Sequence, residues 1–260
     1  MLRAALLQMQ PASVQANLAC IERSATAAAA FGAKLLVAPE MCTTGYAIWN
    51  DIPRLAEPRD GPIIQRLAAI AAAQNIAIIA GFPECDGQTI YNAAVLVQPD
   101  GAKTVYRKCH LFGPLEKSAF SPAESLCDII RIGDFNLGML ICYDVEFPEM
   151  VRSVVLAGAD LICVPTALPR GPSAERVAAS MIQTRAFENH VFLIYADLCG
   201  DERGTPYHGG SVIAAPNGDI LARAGDTEAL LIVDLDAAPY RDAGLDPYLQ
   251  DRRPAIYRLG

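Results

Sequence analysis

The sequence predicts an α/β (α+β) fold, a four-layer α-β-β-α sandwich with internal pseudo-two-fold symmetry, and three observations carry that expectation. Apolar runs of strand length alternate with Ala-rich segments of helical period along the 260 residues, the pattern of packed sheets and helices rather than of an all-helical or all-β chain. The two halves also echo each other. Gly32-Ala33-Lys34-Leu35-Leu36-Val37-Ala38-Pro39 returns as Gly158-Ala159-Asp160-Leu161-Ile162-Cys163-Val164-Pro165, and Asn75-Ile76-Ala77-Ile78-Ile79-Ala80 returns as Asn189-His190-Val191-Phe192-Leu193-Ile194. Each echo is then followed by a hairpin turn, Pro99-Asp100-Gly101 and Pro216-Asn217-Gly218, where Asp, Asn and Gly tolerate the positive φ that tight turns need. Three matches in one order imply two similar strand–helix–strand–hairpin units, with sheets packed face to face and helices outside.

In order along the chain, Ala4–Leu7, Leu35–Ala38 and Ile76–Ala80 are short apolar runs expected as strands, and the segments Val14–Ala30 and Pro62–Gln74 between them have helical period. Ala93–Val97 and Thr104–Tyr106 flank the first hairpin turn. In the second half Leu137–Ile141, Leu161–Val164 and Val191–Ala196 are expected as strands, Pro148–Ala157 and Ala174–Asn189 as helices, and Ser211–Ala214 precedes the second turn. Leu230–Val233 is a last strand. We expect one domain over residues 1–260, with 239–260 a C-terminal extension at an oligomer interface.

Composition narrows the function. The chain is 52% hydrophobic and 19% charged, and no stretch reaches the ~18–20 apolar residues of a membrane span. Met1 leads directly into an alternating apolar segment without the parts of a secretory signal, so a cytoplasmic location is expected. Eight scattered cysteines without a C-x-x-C and three separated histidines suggest neither a disulfide framework nor a zinc site. We expect no cofactor and no metal. A net charge of −8 without a basic stripe argues against a nucleic-acid partner, and is compatible with a cationic small substrate. The expected partners are a small-molecule substrate and a second copy of the chain, with no nucleic acid or membrane.

Three polar residues stand just beyond apolar strands, the usual place for a site: Glu40 after Leu-Leu-Val-Ala-Pro, Lys108 after Thr-Val-Tyr-Arg, and Cys142 after Leu137–Ile141. Taken singly, each has the simpler reading of a helix cap, a solvated lysine or a core cysteine. Their surroundings decide otherwise. Pro39-Glu40 with Thr44-Gly45-Tyr46, Tyr106-Arg107-Lys108 through His110-Leu111 to Glu116, and Leu140-Ile141-Cys142-Tyr143-Asp144 come in one order, followed by Phe147-Pro148-Glu149, Arg185-Ala186 with Glu188-Asn189, and Gly209-Gly210-Ser211. This set resembles the nitrilase, or carbon–nitrogen hydrolase, superfamily over nearly the whole chain.

The resemblance implies a cysteine hydrolase with Cys142 as nucleophile, Glu40 as general base and acid, and Lys108 with the Tyr143 backbone N–H as oxyanion hole. Glu116 would orient the lysine and the hydrolytic water, and Tyr46, Trp49, Phe112 and Ala167 would line the acyl pocket. The chemistry explains the grouping, because a neutral thiol is a weak nucleophile and an amide a poor electrophile, so both ends of the reaction need help. Within the superfamily the run Tyr106–Gly113, the phrase Ile141–Glu149 and the tail Tyr248–Arg253 are closest to small bacterial amidases of the 5-aminopentanamidase and R-stereoselective amidase group. One departure is Leu168, where those relatives tend to carry Asn. The implied reaction is hydrolysis of a small, amino-bearing primary amide to acid and ammonia through a thioester. The alternatives are a nitrilase or an N-carbamoyl-amine hydrolase with the same set, and a non-catalytic binding protein. No G-x-S-x-G elbow, Walker loop or H-E-x-x-H is present.

Overall fold

A computed structural model describes residues 1–241 and 244–257. The first half runs β1 (Leu2–Gln8), α1 (Val14–Ala30), β2 (Leu35–Val37), α2 (Ile52–Leu55), α3 (Pro62–Gln74), β3 (Ala77–Asp86), β4 (Thr89–Val97), β5 (Lys103–Arg107) and α4 (Gly113–Ala119). The second runs β6 (Ile130–Ile132), β7 (Phe135–Met139), α5 (Pro148–Leu156), β8 (Leu161–Pro165), α6 (Ala174–Arg176), α7 (Ile182–Asn189), β9 (Phe192–Ala196), a small hairpin of β10 (Asp201–Glu202) and β11 (Thr205–Pro206), then β12 (Val212–Ala214), β13 (Ile220–Arg223), β14 (Ala229–Leu235) and α8 (Ala238–Arg241).

Two six-stranded sheets result, ordered β14-β1-β2-β3-β4-β5 and β6-β7-β8-β9-β12-β13. In each, three parallel strands continue into an antiparallel hairpin, and an antiparallel strand closes the other edge. The two halves therefore have the same topology, with β2 equivalent to β8 and β3 to β9. One echo is shifted by a residue. Leu35 pairs with Ala77 and Leu161 with Phe192, so Asn75 is equivalent to His190 and not to Asn189. Both Asn75 and His190 take the left-handed conformation that ends the preceding helix, with φ of 49° and 53°, and the Asn189 side chain is instead tied back to the Arg185 carbonyl at 2.9 Å.

The period-two alternation of the strands sorts the core. Leu6, Leu35, Val37 and Ile79 share a cluster with Leu161 and Cys163 of the other sheet, whereas Leu7, Leu36 and Ile78 pack with Ile21 and Ala25 of α1 and Ile64 and Leu67 of α3. Helix α1 starts where Ser13 accepts the Ala16 N–H at 3.3 Å and buries Asn17, Ile21, Ala25 and Ala28 at helical spacing. Helix α3 starts on Pro62, whose missing N–H costs nothing at a first position.

Some expectations need correction. The helix expected over Ala174–Asn189 contains a π-helical turn at Val177–Met181, β7 ends at Met139 and not Ile141, and β3 extends to Asp86 because it pairs along its whole length with β4. Of the eight cysteines five are buried, and Cys20, Cys85 and Cys109 are half-buried. The expected extended tail holds α8 and a 3-10 turn at Pro254–Ile256, and its residues 242, 243 and 258–260 lie outside the described residues.

The ends of the equivalent strands β2 and β8 meet. The Glu40 N–H donates to the Thr166 carbonyl at 3.3 Å, which joins the two sheets at the point where Glu40 leaves the first. Gly81 of β3 fixes that exit, since a Cβ on it would lie 2.1 Å from the Met41 nitrogen and 2.7 Å from Glu40 Cα. Backbone cannot yield as a side-chain tip can. Gly81→Ala is expected to destabilise the protein by roughly 1–3 kcal/mol or more, the range for forced overpacking, and to displace Glu40. Thermal unfolding checks it, with an unchanged midpoint contradicting the close-approach argument.

Candidate active site

Glu40, Lys108, Glu116 and Cys142 reach one place from four segments. Lys108 follows β5 and pairs across the hairpin with Asn92 of β4, its N–H donating to the Asn92 carbonyl at 2.8 Å. Glu116 lies in the first turn of α4. Cys142 opens a 3-10 turn, Cys142–Glu146, directly beyond β7. Its φ is 46°, and Met41, next to Glu40, has 50°. Both are non-glycine residues in the left-handed region, a conformation that persists only where the surroundings impose it.

The side chains form a closed polar network. Lys108 Nζ donates to Glu40 Oε1 at 2.7 Å and to Glu116 Oε1 and Oε2 at 2.9 and 3.1 Å. Asn92 Nδ2 donates to the same two acceptors, Glu40 Oε1 at 2.7 Å and Glu116 Oε1 at 2.6 Å. The second Glu40 oxygen accepts the Ala167 N–H at 2.8 Å, and Glu116 Oε2 also accepts the Phe112 N–H. Cys142 Sγ faces the Ala167 carbonyl at 4.0 Å. The side chains of Glu40, Lys108 and Glu116 are wholly inaccessible to solvent.

Burial sets the protonation of these groups. It pushes the Cys142 thiol well above its ordinary value, the Glu40 carboxylate pushes the same way, and Lys108 opposes them without prevailing. Glu40 is raised chiefly by burial and also by Glu116, against the pull of Lys108. For Lys108 burial works downward, but Glu40 and Glu116 together outweigh it and hold the ammonium charged. The direction of these shifts favours a neutral Cys142 thiol beside Glu40.

Sequence reasoning missed three residues that hold this arrangement. Asn92 is buried, and its amide cannot be turned over without aiming an oxygen at two carboxylates. Its signal was a polar residue in an apolar strand, opposite Lys108 in the hairpin register. Asp144 clamps the lysine loop to the cysteine turn: it accepts the His110 N–H at 2.8 Å, the Tyr106 hydroxyl at 2.8 Å and the Ile141 N–H at 3.1 Å, with His110 Nδ1 at 3.0 Å. Glu202 of β10 accepts the Tyr46 and Ala47 N–H groups at 3.0 and 2.8 Å and the Tyr207 hydroxyl at 2.7 Å. No local motif marks it, because the backbone it holds at Tyr46 and Ala47 lies about 155 residues away.

The expected pocket residues divide. Tyr46 is buried edge-on to Trp49, with ring centroids 5.0 Å apart, and packs on Tyr207. Ala167 is buried and bridges Glu40 to Cys142 through its N–H and carbonyl. Phe112 is 44% exposed and meets the Tyr143 ring edge-on at 5.3 Å, at the rim and not in the interior. Leu168 is buried, its N–H fixed by Asp197 at 2.8 Å.

The carbon–nitrogen hydrolase family model matches residues 3–243. The chain belongs to the carbon–nitrogen hydrolase family. It is 45% identical to the "Hydrolase in pqqF 5'region" of Pseudomonas protegens, over 98% of this chain and 90% of that one. It is 35% identical to an (R)-stereoselective amidase of a Pseudomonas species, over 88% and 83%. Among solved structures, a glutamate-to-glutamine variant of the amidase from Nesterenkonia sp. AN1, showing the Michael addition of acrylamide at its active-site cysteine, superposes with a TM-score of 0.89 at 36% identity, covering 98% of both chains. The two-sheet fold with flanking helices is that of nitrilase-superfamily amidases. Among the described residues no helix is long and apolar enough to cross a membrane.

For this carbon–nitrogen hydrolase the raised Cys142 pKa has an observable consequence. Ultraviolet titration of thiolate absorbance is expected to show no step below pH 9.0, the ordinary thiol value, that disappears in Cys142→Ala. Such a step would mean that Lys108 overcomes burial and holds Cys142 as thiolate.

Proposed function

We propose that the protein hydrolyses a small primary amide to the carboxylic acid and ammonia through a thioester on Cys142. The observation that carries this reading is the shared contact at Ala167, whose N–H holds Glu40 and whose carbonyl faces the Cys142 thiol. The amidases among its relatives support the substrate class, and their acrylamide adduct supports a cysteine nucleophile.

In the proposed cycle Glu40 takes the thiol proton as sulfur bonds to the amide carbon. The carbonyl oxygen becomes an oxyanion beside Lys108 and the Tyr143 N–H, where each fixed donor contributes ~3–4 kcal/mol to the transition state. Protonation of Glu40 weakens its hold on Lys108 Nζ, so the ammonium charge is released toward the oxyanion as that oxygen becomes negative. Glu40 then gives its proton to the departing nitrogen, the carbon–nitrogen bond breaks and ammonia leaves. A water oriented by Glu116 loses its proton to Glu40, attacks the thioester and releases the acid, with the proton returning to sulfur. Tyr46, Trp49 and Ala167 line the acyl side with Phe112 at its rim, the Tyr46 backbone being held by Glu202.

The amide carries an amine in its acyl group, a reading supported by the likeness to amidases and the net charge of −8. Residues 1–260 form one catalytic domain, with the family match over 3–243 in support, and the cytoplasm suits a chain with eight unpaired thiols. A homodimer or higher homo-oligomer is supported by exposed apolar residues on α5, α7 and the tail, including Leu156, Phe187, Ile256 and Tyr257.

Cys142→Ala is expected to abolish ammonia release while the fold stays intact. Glu40→Gln and Lys108→Met should each remove most of kcat, and the double variant should be little worse than either, because residues acting as one unit do not contribute additively. A double variant far below both singles would sink the shared constellation. Carbon dioxide among the products would point to a carbamoyl substrate instead. For the assembly, light scattering is expected to give twice 27.8 kDa or a multiple, and a monomer at micromolar concentration contradicts it.

A further inference from the structure

We propose that Asp197 is a positioning residue of the reaction, an inference that rests on the amidase reading above: by accepting the Leu168 N–H it fixes the plane of the peptide whose other end, the Ala167 carbonyl, faces the Cys142 thiol. Ala167 sets base and nucleophile relative to each other, since its N–H holds Glu40 Oε2 at 2.8 Å and its carbonyl faces Cys142 Sγ at 4.0 Å. Two successive peptide planes therefore decide where the base stands. The first, Thr166–Ala167, is fixed at both ends: its carbonyl accepts the Leu198 and Glu40 N–H groups at 3.2 and 3.3 Å, and its N–H is the one on Glu40. The second, Ala167–Leu168, is held at its N–H end by Asp197 Oδ1 at 2.8 Å. In a planar trans peptide the N–H and C=O point in opposite directions, so holding that N–H aims the carbonyl at the sulfur.

The carboxyl is itself anchored. Asp197 is the first residue beyond β9 and is wholly buried, and its N–H donates to Ser211 Oγ at 2.8 Å. Ser211 Oγ donates to Gln8 Oε1 at 2.7 Å, and Gln8 Nε2 donates to the Gly225 and Thr227 carbonyls at 2.9 and 2.6 Å, which ties Asp197 to β1 of the other sheet. Gly209 makes room for this chain: its φ is 69°, and a Cβ on it would lie 2.9 Å from the Gly225 carbonyl oxygen and 3.1 Å from Gln8 Nε2. The Gly209-Gly210-Ser211 run thus serves the site at one remove.

Asp197 Oδ2 is buried and has no partner among the described residues. An ionised carboxylate with one bare oxygen in a low dielectric is uncompensated. Burial, with Glu40 adding to it, pushes the Asp197 carboxyl well above its ordinary range, against the pull of the Leu168, Leu198 and Gly209 N–H groups. The acceptor oxygen, and not a charge, is therefore what positions the peptide. Asn at this position keeps the acceptor. Ala removes it and leaves the buried Leu168 N–H orphaned, a cost that the peptide relieves by turning.

The test measures kcat and KM by ammonia release for linear amides from acetamide to hexanamide in wild type, Asp197→Ala and Asp197→Asn, each well below its unfolding midpoint. Asp197→Ala is expected to lose about tenfold or more in kcat, because a misplacement of ~1 Å near the reacting groups costs ~100-fold, while KM stays within about threefold. Asp197→Asn should keep kcat within about threefold of wild type. Wild-type kcat in folded Asp197→Ala overturns the assignment, as does a loss confined to KM, or an Asp197→Asn as impaired as Asp197→Ala. Should Asp197→Ala not fold, Asp197→Leu, which fills the space and accepts nothing, takes its place with the same expectations. If neither folds, Asp197→Asn decides alone, a loss of about tenfold in its kcat overturning the assignment. Absence of ammonia from every amide in wild type marks instead the failure of the amidase reading. The same proteins are then ranked by the rate at which acrylamide adds to Cys142, read by intact mass: wild type and Asp197→Asn are expected to react alike and Asp197→Ala about tenfold more slowly, and equal rates in all three overturn the assignment.

Discussion

The site depends on one expensive interaction, a lysine ammonium buried without solvent access between two carboxylates. Desolvating three charges costs several kcal/mol per ion, and the loss is offset only if every lone pair and proton finds a partner. The three charged groups meet that condition through one another, Asn92 Nδ2, the Ala167 N–H and the Phe112 N–H, and the cost falls on Asn92, whose buried Oδ1 has no partner among the described residues. These groups come from both halves of the sandwich, so the network forms only when the two sheets have closed on each other. Pseudo-symmetry is what makes this possible: the exit of β2 at Glu40 and the exit of β8 at Thr166 and Ala167 meet because they are equivalent ends of equivalent strands.

Around this network, backbone is held in conformations that ordinary residues avoid. Cys142 and Met41 both have positive φ, and the strain is imposed by the close approach of Gly81 on one side and the Asp144 clamp on the other. The same low dielectric that makes the ion pairs strong keeps the thiol neutral. In the proposed cycle a thiol stored this way is spared non-productive reactions and is ionised only when Glu40 takes its proton. Glu40, itself raised by burial, is poised to accept that proton and return it.

Much of this was legible in the sequence because it follows from local periodicity and repeated turns. The apolar runs at Leu35 and Leu161 and the two Pro-Asp/Asn-Gly turns marked the two repeated strand–helix–strand–hairpin units, and the segments after β2, β5 and β7 marked Glu40, Lys108 and Cys142. The residues that escaped are those whose reason for being polar lies across the fold. Asn92 looks like a break in a strand until its partner carboxylates are folded onto it, and Glu202 supports the Tyr46 segment from the opposite half. The π-helical turn at Val177–Met181 escaped because a helix and a helix with one widened turn have nearly the same hydrophobic period. The one-residue offset between Asn75 and His190 is similar: sequence matched Asn to Asn, whereas the backbone matched the two left-handed helix caps.

The account stands on acylation of Cys142, and the most direct measurement is the intact mass of the protein, quenched with acid during steady-state turnover of an amide and digested to locate any adduct. The account predicts an acyl group, added with loss of ammonia, on the peptide that contains Cys142 and on no other cysteine peptide, its occupancy rising when hydroxylamine-free quenching is fast. Full turnover with an unmodified Cys142 peptide at every quench time, or an acyl group on a different residue, would contradict it.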